Sequence, residues 1–201
     1  LKRILAIPRY REGVIAQFFY VGVQIMSWTF IIQYGTRIFM GQGMAEVDAE
    51  VLSQKYNIAA MIIFCASRFI CTFLLKYISP GKLLMTLAIA GGLLICGVIG
   101  FQDIKGLDCL VGVSACMSLM FPTIYGVALT GLGDDANFGA AGLIMAILGG
   151  SVLPPLQARI IDAGTVAGIP AVNASFIIPF ICFVVIAIYG YRVFKVFKAV
   201  R

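Results

Sequence analysis

The sequence has no histidine, and only 12% of its 201 residues carry a charge. A soluble globular chain carries about twice that share. A larger core does not account for 61% hydrophobic residues and a mean hydropathy of +1.02. A bilayer does, because it accepts apolar surface on every side. The missing histidine excludes His-Glu-x-x-His metal chemistry. With no Cys-x-x-Cys pair either, the six cysteines form no recognisable metal set. Phosphate-loop and nucleophile-elbow signatures are absent as well, so the chain reads as neither an enzyme nor a cofactor binder. Period-two alternation is missing, which argues against a transmembrane barrel. The basic residues form no continuous face despite a net charge of +6, which argues against nucleic acid as a partner.

What is present is a series of long apolar runs. Crossing a hydrocarbon core about 30 Å thick takes about 20 helical residues. Six stretches meet that length, near Val14–Phe39, Leu52–Tyr77, Leu83–Phe101, Leu107–Leu132, Phe138–Ile161 and Ala174–Phe197. They are numbered here as spans one to six. Short connections make neighbouring spans antiparallel. The expected fold is an all-α integral membrane bundle of six transmembrane helices. Cys65, Cys71, Cys96, Cys116 and Cys182 lie inside these runs and Cys109 near the start of one, so all six are expected to be small buried hydrophobes. The apolar run after the basic N-terminus is too long for a cleavable signal. A start at Leu1 rather than Met suggests that further residues precede it.

Orientation follows from the basic residues. One set of span ends carries Lys2, Arg3, Arg9, Arg11, Lys76, Lys82, Arg192, Lys195, Lys198 and Arg201; the other carries Arg37, Lys55, Lys105 and Arg159. Ten against four places both termini in the cytoplasm and Glu46, Asp48 and Glu50 in the first outer loop. Arg68 stands apart, inside span two and about six residues short of its exit from lipid. It either snorkels to the surface or forms a structural ion pair at a cytoplasmic gate.

Polar residues cluster on particular spans. Gln17, Tyr20, Gln24 and Trp28 follow one another at helical spacing along span one. Amides in lipid need partners, so they bond either a neighbouring helix or a polar ligand in a wet cavity. A sugar would suit the second case, since it offers hydroxyls to the amides and C–H faces to the rings. Gln33 and Tyr34 extend this character outward. Span four carries Ser114, Ser118, Pro122 and Tyr125 along a stripe, and Pro122 is expected to free a backbone carbonyl and kink the helix. In span five, Gly139, Gly142, Gly149 and Gly150 precede Pro154 and Pro155, a pattern suited to close helix packing. Asn57 and Asn137 read as helix caps. Gly131-Leu132-Gly133-Asp134 has the form of the intramembrane aspartyl protease signature, but that chemistry needs a second carboxylate in the membrane, and no span supplies one. For the same reason a proton-coupling group, if the chain serves a symporter, is expected outside this chain.

Several stretches together resemble the fucose permease branch of the major facilitator superfamily. They are Ala16-Gln17-Phe18-Phe19-Tyr20-Val21-Gly22-Val23-Gln24 with Trp28, Ser67-Arg68-Phe69 with Ser79-Pro80-Gly81-Lys82-Leu83, Met117-Ser118 with Phe121-Pro122-Thr123-Ile124, and Phe138-Gly139 with Gly149-Gly150. The resemblance implies that residues 1–201 are a C-terminal six-helix half, helices seven to twelve. It implies proton-coupled uptake of a monosaccharide of the fucose, glucose or galactose class by alternating access, in the inner membrane of a bacterium. The implied partners are the sugar, the proton, the lipid bilayer and an N-terminal six-helix half that holds the proton-coupling carboxylates. Gln17, Tyr20, Gln24, Trp28 and Tyr125 are the candidate sugar contacts, and Arg68 a gating residue. Met120 departs from the family pattern, which has Gln there, and this counts against L-fucose itself. Val21-Gly22-Val23-Gln24 echoes Val111-Gly112-Val113-Ser114, as expected for two three-helix repeats near residues 12–101 and 104–198. The alternatives are a non-transporting six-helix membrane subunit and a drug-efflux member of the same superfamily.

Overall fold

Apolar runs this long leave the backbone one way to satisfy its own polar groups in lipid, the α-helix. A computed structural model describes residues 6–166 and 168–199 and contains six helices long and apolar enough to cross a membrane. Span one is a single helix, Pro8–Gly41, and span two is another, Glu46–Leu74. Span three is Pro80–Gly100. Span four consists of Ile104–Met117 and Met120–Leu129. Span five runs from Ala136–Met145 through a 3-10 turn, Ala146–Leu148, into Gly149–Ile161. Span six is a short helix, Ala171–Ser175, followed by Ile177–Ala199. A two-residue hairpin pairing Thr165–Val166 with Ile169–Pro170 joins spans five and six.

The helices outrun the apolar stretches at several ends. Pro8 and Pro80 occupy first-turn positions, where a missing N–H costs nothing. Glu46 and Asp48 favour the positive N-terminus of span two, which therefore starts six residues before its apolar run. As a result Asn57 lies inside that helix rather than at its cap, with Oδ1 buried and unbonded. Asn137 is the second residue of its helix and caps nothing either. The Gly131 and Gly133 pair adopts positive φ, +86° and +52°, in the turn between spans four and five. Those glycines serve the turn, and Asp134 and Asp135 follow on its short 3-10 helix. Lys2, Arg3 and Arg201 of the orientation argument, and the side chain of Lys198, lie outside the described residues.

Span one is the centre of the bundle and packs on spans two, four, five and six. Span four packs on one, two and three, and span three packs on six. Tyr20, Met26, Ile95, Leu110, Met117 and Phe183 belong to the core between them. Lipid tails give helices no hydrophobic reason to associate, so close backbone approach has to supply the attraction. Glycine supplies it where spans one and five meet. A Cβ at Gly149 would collide with the carbonyl of Phe18, and one at Gly22 with the side chain of Leu153.

The share of each span that is buried follows the same hierarchy. It is 56% for span one and 61% for span four, 39% and 44% for spans three and six, and 11% and 28% for spans two and five. Spans two and five thus stand at the open flanks. Three cysteines, Cys71, Cys116 and Cys182, are buried as expected, whereas Cys65 and Cys96 lie exposed on outer helix faces. Exposure there is exposure to the bilayer or to a partner, and an apolar thiol suits either surface.

Candidate functional site

Where a polar side chain sits on a membrane helix decides whether it can meet a ligand. On span one the four spaced residues divide into two groups. Gln17 and Tyr20 are fully buried, at 0% exposure, whereas Gln24 and Trp28 are half-buried. Gln17 is sealed among the helices, and neither its Oε1 nor its Nε2 has a partner. It is therefore not open to a ligand in this arrangement, because other spans enclose that stretch of span one. Tyr20 is committed differently. Its hydroxyl donates to the carbonyl of Met117 at 3.0 Å.

That bond sits at the break in span four. The helix stops at Met117 and resumes at Met120, just upstream of Pro122, which has no N–H to continue the ladder. The proline removes the donor that the carbonyl of Ser118 would otherwise meet, and at the end of the first segment the carbonyl of Met117 accepts from Tyr20 of span one. Thr123 steadies the second segment by donating to the carbonyl of Leu119 at 2.8 Å. Met120 is fully buried in the core. Its side chain serves the packing of span four.

The residues that remain partly open form a strip of amide and rings. Gln24 stands one turn from Trp28 on the same helix. The Trp28 indole N–H donates to Ser114 Oγ of span four at 3.2 Å, and the ring meets Phe64 of span two edge-on at 5.1 Å. With its N–H engaged and one contact to Phe64, the Trp28 ring stays partly exposed. Lower on span four, Phe121 lies 6.1 Å from the Tyr20 ring and stacks with Tyr125 at 6.2 Å and 10°. Ser114 and Tyr125 are 11 residues apart, about 16 Å along a helix. Trp28 and Tyr125 therefore stand well apart along the bundle. They mark two levels of one face. Gln24, Phe64 and Phe121 belong to this group. Sequence reasoning did not place Phe64 or Phe121 in the site, because aromatic residues in an apolar run carry no positional signal.

Arg68 is exposed on span two, makes no ion pair among the described residues, and stands close enough to act electrostatically on Tyr20. At the other end, Tyr34 and Asn173 tie spans one, three and six together. Tyr34 donates to the Phe101 carbonyl at 2.6 Å, Asn173 Nδ2 donates to the Val98 carbonyl at 2.9 Å, and Arg37 reaches Asn173 Oδ1 at 3.5 Å. These bonds saturate Tyr34, so the outward extension of the polar face is a structural clamp. No group of three or more metal-ligating side chains occurs among the described residues.

No family model matches the chain. The chain is 55% identical, over 98% of its length, to the L-fucose-proton symporter of Haemophilus influenzae, and it spans 44% of that protein. It is 31% identical over 94% of its length to the L-fucose-proton symporter of Escherichia coli, spanning 41% of it. With the glucose/galactose transporter of Brucella abortus it shares 29% identity over 89% of its length, spanning 40%. The chain thus spans less than half the length of these relatives. They are symporters and transporters rather than enzymes. Among solved structures, a point variant of the E. coli fucose:proton symporter FucP superposes with a TM-score of 0.87 at 31% identity, covering 96% of this chain and 44% of that one. FucP in the outward conformation, a major facilitator superfamily transporter, gives 0.85 at 30% identity, again over 96% of this chain and 44% of that one.

Proposed function

From the premise that this chain is a C-terminal six-helix half with the major facilitator superfamily fold, similar to the fucose permease branch, we propose that it supplies one wall of a proton-coupled monosaccharide transporter. The observation that carries this reading is the half-open strip of Gln24, Trp28, Phe121 and Tyr125 on the two spans that are otherwise the most enclosed. A polar amide such as that of Gln24, left partly uncovered within a membrane bundle, costs free energy unless water or a ligand meets it. The names of the relatives, L-fucose-proton symporter and glucose/galactose transporter, indicate the ligand class.

Gln24 hydrogen-bonds a sugar hydroxyl, and Trp28 offers its face to the C–H side of the ring. Tyr125, a level away, lines the path that the sugar takes between the site and one membrane surface. Gln17 and Tyr20 stand behind the wall and set its shape. Arg68 pairs across the gate with the N-terminal six-helix half, which also carries the proton-coupling carboxylate. Both termini face the cytoplasm, by the asymmetry of basic residues, in the inner membrane of a bacterium.

Two three-helix repeats, near residues 12–101 and 104–198, fit the packing. If span one is exchanged with four, two with five and three with six, the packing of span one on five and six maps onto that of span four on two and three, and the buried shares rank alike. Spans one and four run in opposite directions, so the relation is an inverted repeat, the arrangement on which rocking-type alternating access is built.

The test is proton-coupled uptake by the full-length transporter in proteoliposomes, with fucose, glucose and galactose compared under an imposed pH gradient. Uptake of one of them that collapses with the gradient is expected. In the same assay Arg68→Ala is expected to slow uptake about tenfold with sugar affinity unchanged. Gradient-independent flux, or no flux of any of the three sugars, rejects the reading.

A further inference from the structure

Spans three and six alone line an apolar groove with a volume of about 460 Å³. Small residues make its floor, Ala88, Gly92 and Ala187, beside the buried ring of Phe183. Its walls are large and exposed, Ile89 and Leu93 on span three and Val184 and Ile188 on span six. High apolar walls over a low floor make a channel along the two helices.

Gly92 separates this channel from a by-product of helix packing. Three other glycines of the same helix pair are needed for close approach. A Cβ at Gly81, Gly91 or Gly190 would come within 2.6, 2.6 or 2.8 Å of an atom on the facing helix. A Cβ at Gly92 would meet only Phe183 at 3.7 Å and Phe180 at 4.0 Å, which is ordinary contact. Helix interiors disfavour glycine, and the packing does not ask for it here. The missing side chain leaves open space in the groove.

Charge indicates what fills that space. Lys82 and Lys195 stand just beyond Met85 and Tyr191, at one end of the groove. Lys82 precedes Met85 and Ile89 by three and seven residues, and Lys195 follows Tyr191 and Ile188 by four and seven. Both lysines therefore continue the rows that form the walls. The helices are close there, since Gly81 lies against the backbone of Phe194. Both lysines are exposed, and neither has an ion pair among the described residues, whereas Arg192 is taken up by Glu12. From Lys82 to Leu93 is eleven residues, about 16 Å of helix. That is close to half of a hydrocarbon core about 30 Å thick. The groove thus runs from one membrane surface toward the midplane, with two cations and the phenol of Tyr191 at the surface end. A phospholipid with an anionic headgroup matches it in length, polarity and charge. A second copy of the chain does not. A dimer axis in a membrane stands along the bilayer normal, so each lysine pair would face its own copy.

We propose that the groove between spans three and six is a binding site for an anionic phospholipid, with an acyl chain lying over Gly92 and the phosphate held by Lys82 and Lys195. The proposal needs only that these helices cross a bilayer, and it stands apart from the sugar reading.

The experiment uses the full-length transporter in phosphatidylcholine nanodiscs with increasing phosphatidylglycerol, and native mass spectrometry counts the lipid that stays bound. Saturable retention of phosphatidylglycerol over phosphatidylcholine is expected. Lys82→Gln and Lys195→Gln are each expected to weaken it about fivefold, and Lys82→Arg to preserve it. Gly92→Leu, whose side chain fills the groove, is expected to weaken it several-fold. Lys76→Gln changes a basic residue of the same membrane face that sits over the Phe73 ring of span two, off the groove, and is expected to leave retention unchanged. The two lysines are exposed, so their variants decide the matter whatever Gly92→Leu does to folding. No preference for phosphatidylglycerol, no loss with either lysine variant, an equal loss with Lys76→Gln, or a dimer that closes the groove without lipid overturns the proposal.

Discussion

Two stretches of span one, two helical turns apart, carry the same side chain in different surroundings. Gln17 is enclosed and makes no hydrogen bond, whereas Gln24 is half-open beside Trp28. Around Gln17 the neighbouring helices come close. Gly13 lies against Ala128 and Gly149 against the Phe18 backbone. Gln24 stands one turn from Trp28, which meets Ser114 and Phe64, and part of its surface stays uncovered. The difference shows that a polar stripe at helical spacing does not define a binding face. Neighbouring helices cover some of its members, and only the members left open can act on a ligand.

The largest expected effect probes the enclosed stretch. Gly149→Leu forces a side chain into the Phe18 backbone, which cannot yield as a flexible side chain would. Overpacking of this kind costs about 3 kcal/mol, the upper end of the usual range. The expected outcome is loss of monodisperse transporter, or a large drop in thermal stability measured in detergent. Normal stability would mean that spans one and five are less closely packed than described.

Next comes the open stretch. Trp28→Ala removes the ring face and is expected to weaken sugar affinity at least tenfold, about 1.4 kcal/mol or more, with a smaller fall in stability through lost contact with Phe64 and Ser114. Equilibrium binding of radiolabelled sugar measures it. A smaller effect belongs to Tyr20→Phe, which leaves the Met117 carbonyl without its donor. Its cost is about 1–2 kcal/mol of stability with sugar affinity unchanged. A variant that loses affinity and keeps its stability would move Tyr20 from the supporting group into the site.

The fold was largely legible in the sequence. The bilayer demands long apolar runs, and all six appeared, with ends displaced where proline and acidic first turns extended helices beyond the apolar residues. The break in span four was legible from Pro122, but its position at Met117 and the donor that answers it were not, because Tyr20 is 97 residues away in sequence. The site was legible only as a face. Gln17, Tyr20, Gln24 and Trp28 share a stripe, yet which of them stays open depends on spans four, five and six. Buried glycine contacts such as Gly149 with Phe18 set that closure, and no local pattern records them. Phe64 and Phe121 stayed hidden among fifteen phenylalanines.

Sugar affinity and thermal stability, measured side by side in two glutamine variants of the full-length transporter, separate the open stretch from the enclosed one most directly. Gln24→Leu and Gln17→Leu keep similar volume and remove one amide each. Gln24→Leu is expected to weaken sugar affinity several-fold, the equivalent of about 0.5–1.5 kcal/mol for one hydrogen bond. Gln17→Leu is expected to leave affinity unchanged and to raise thermal stability, because a buried amide without partners is replaced by an apolar group. Equal losses of affinity in both variants, or an affinity loss confined to Gln17→Leu, would contradict the division of span one into a binding stretch and a supporting one.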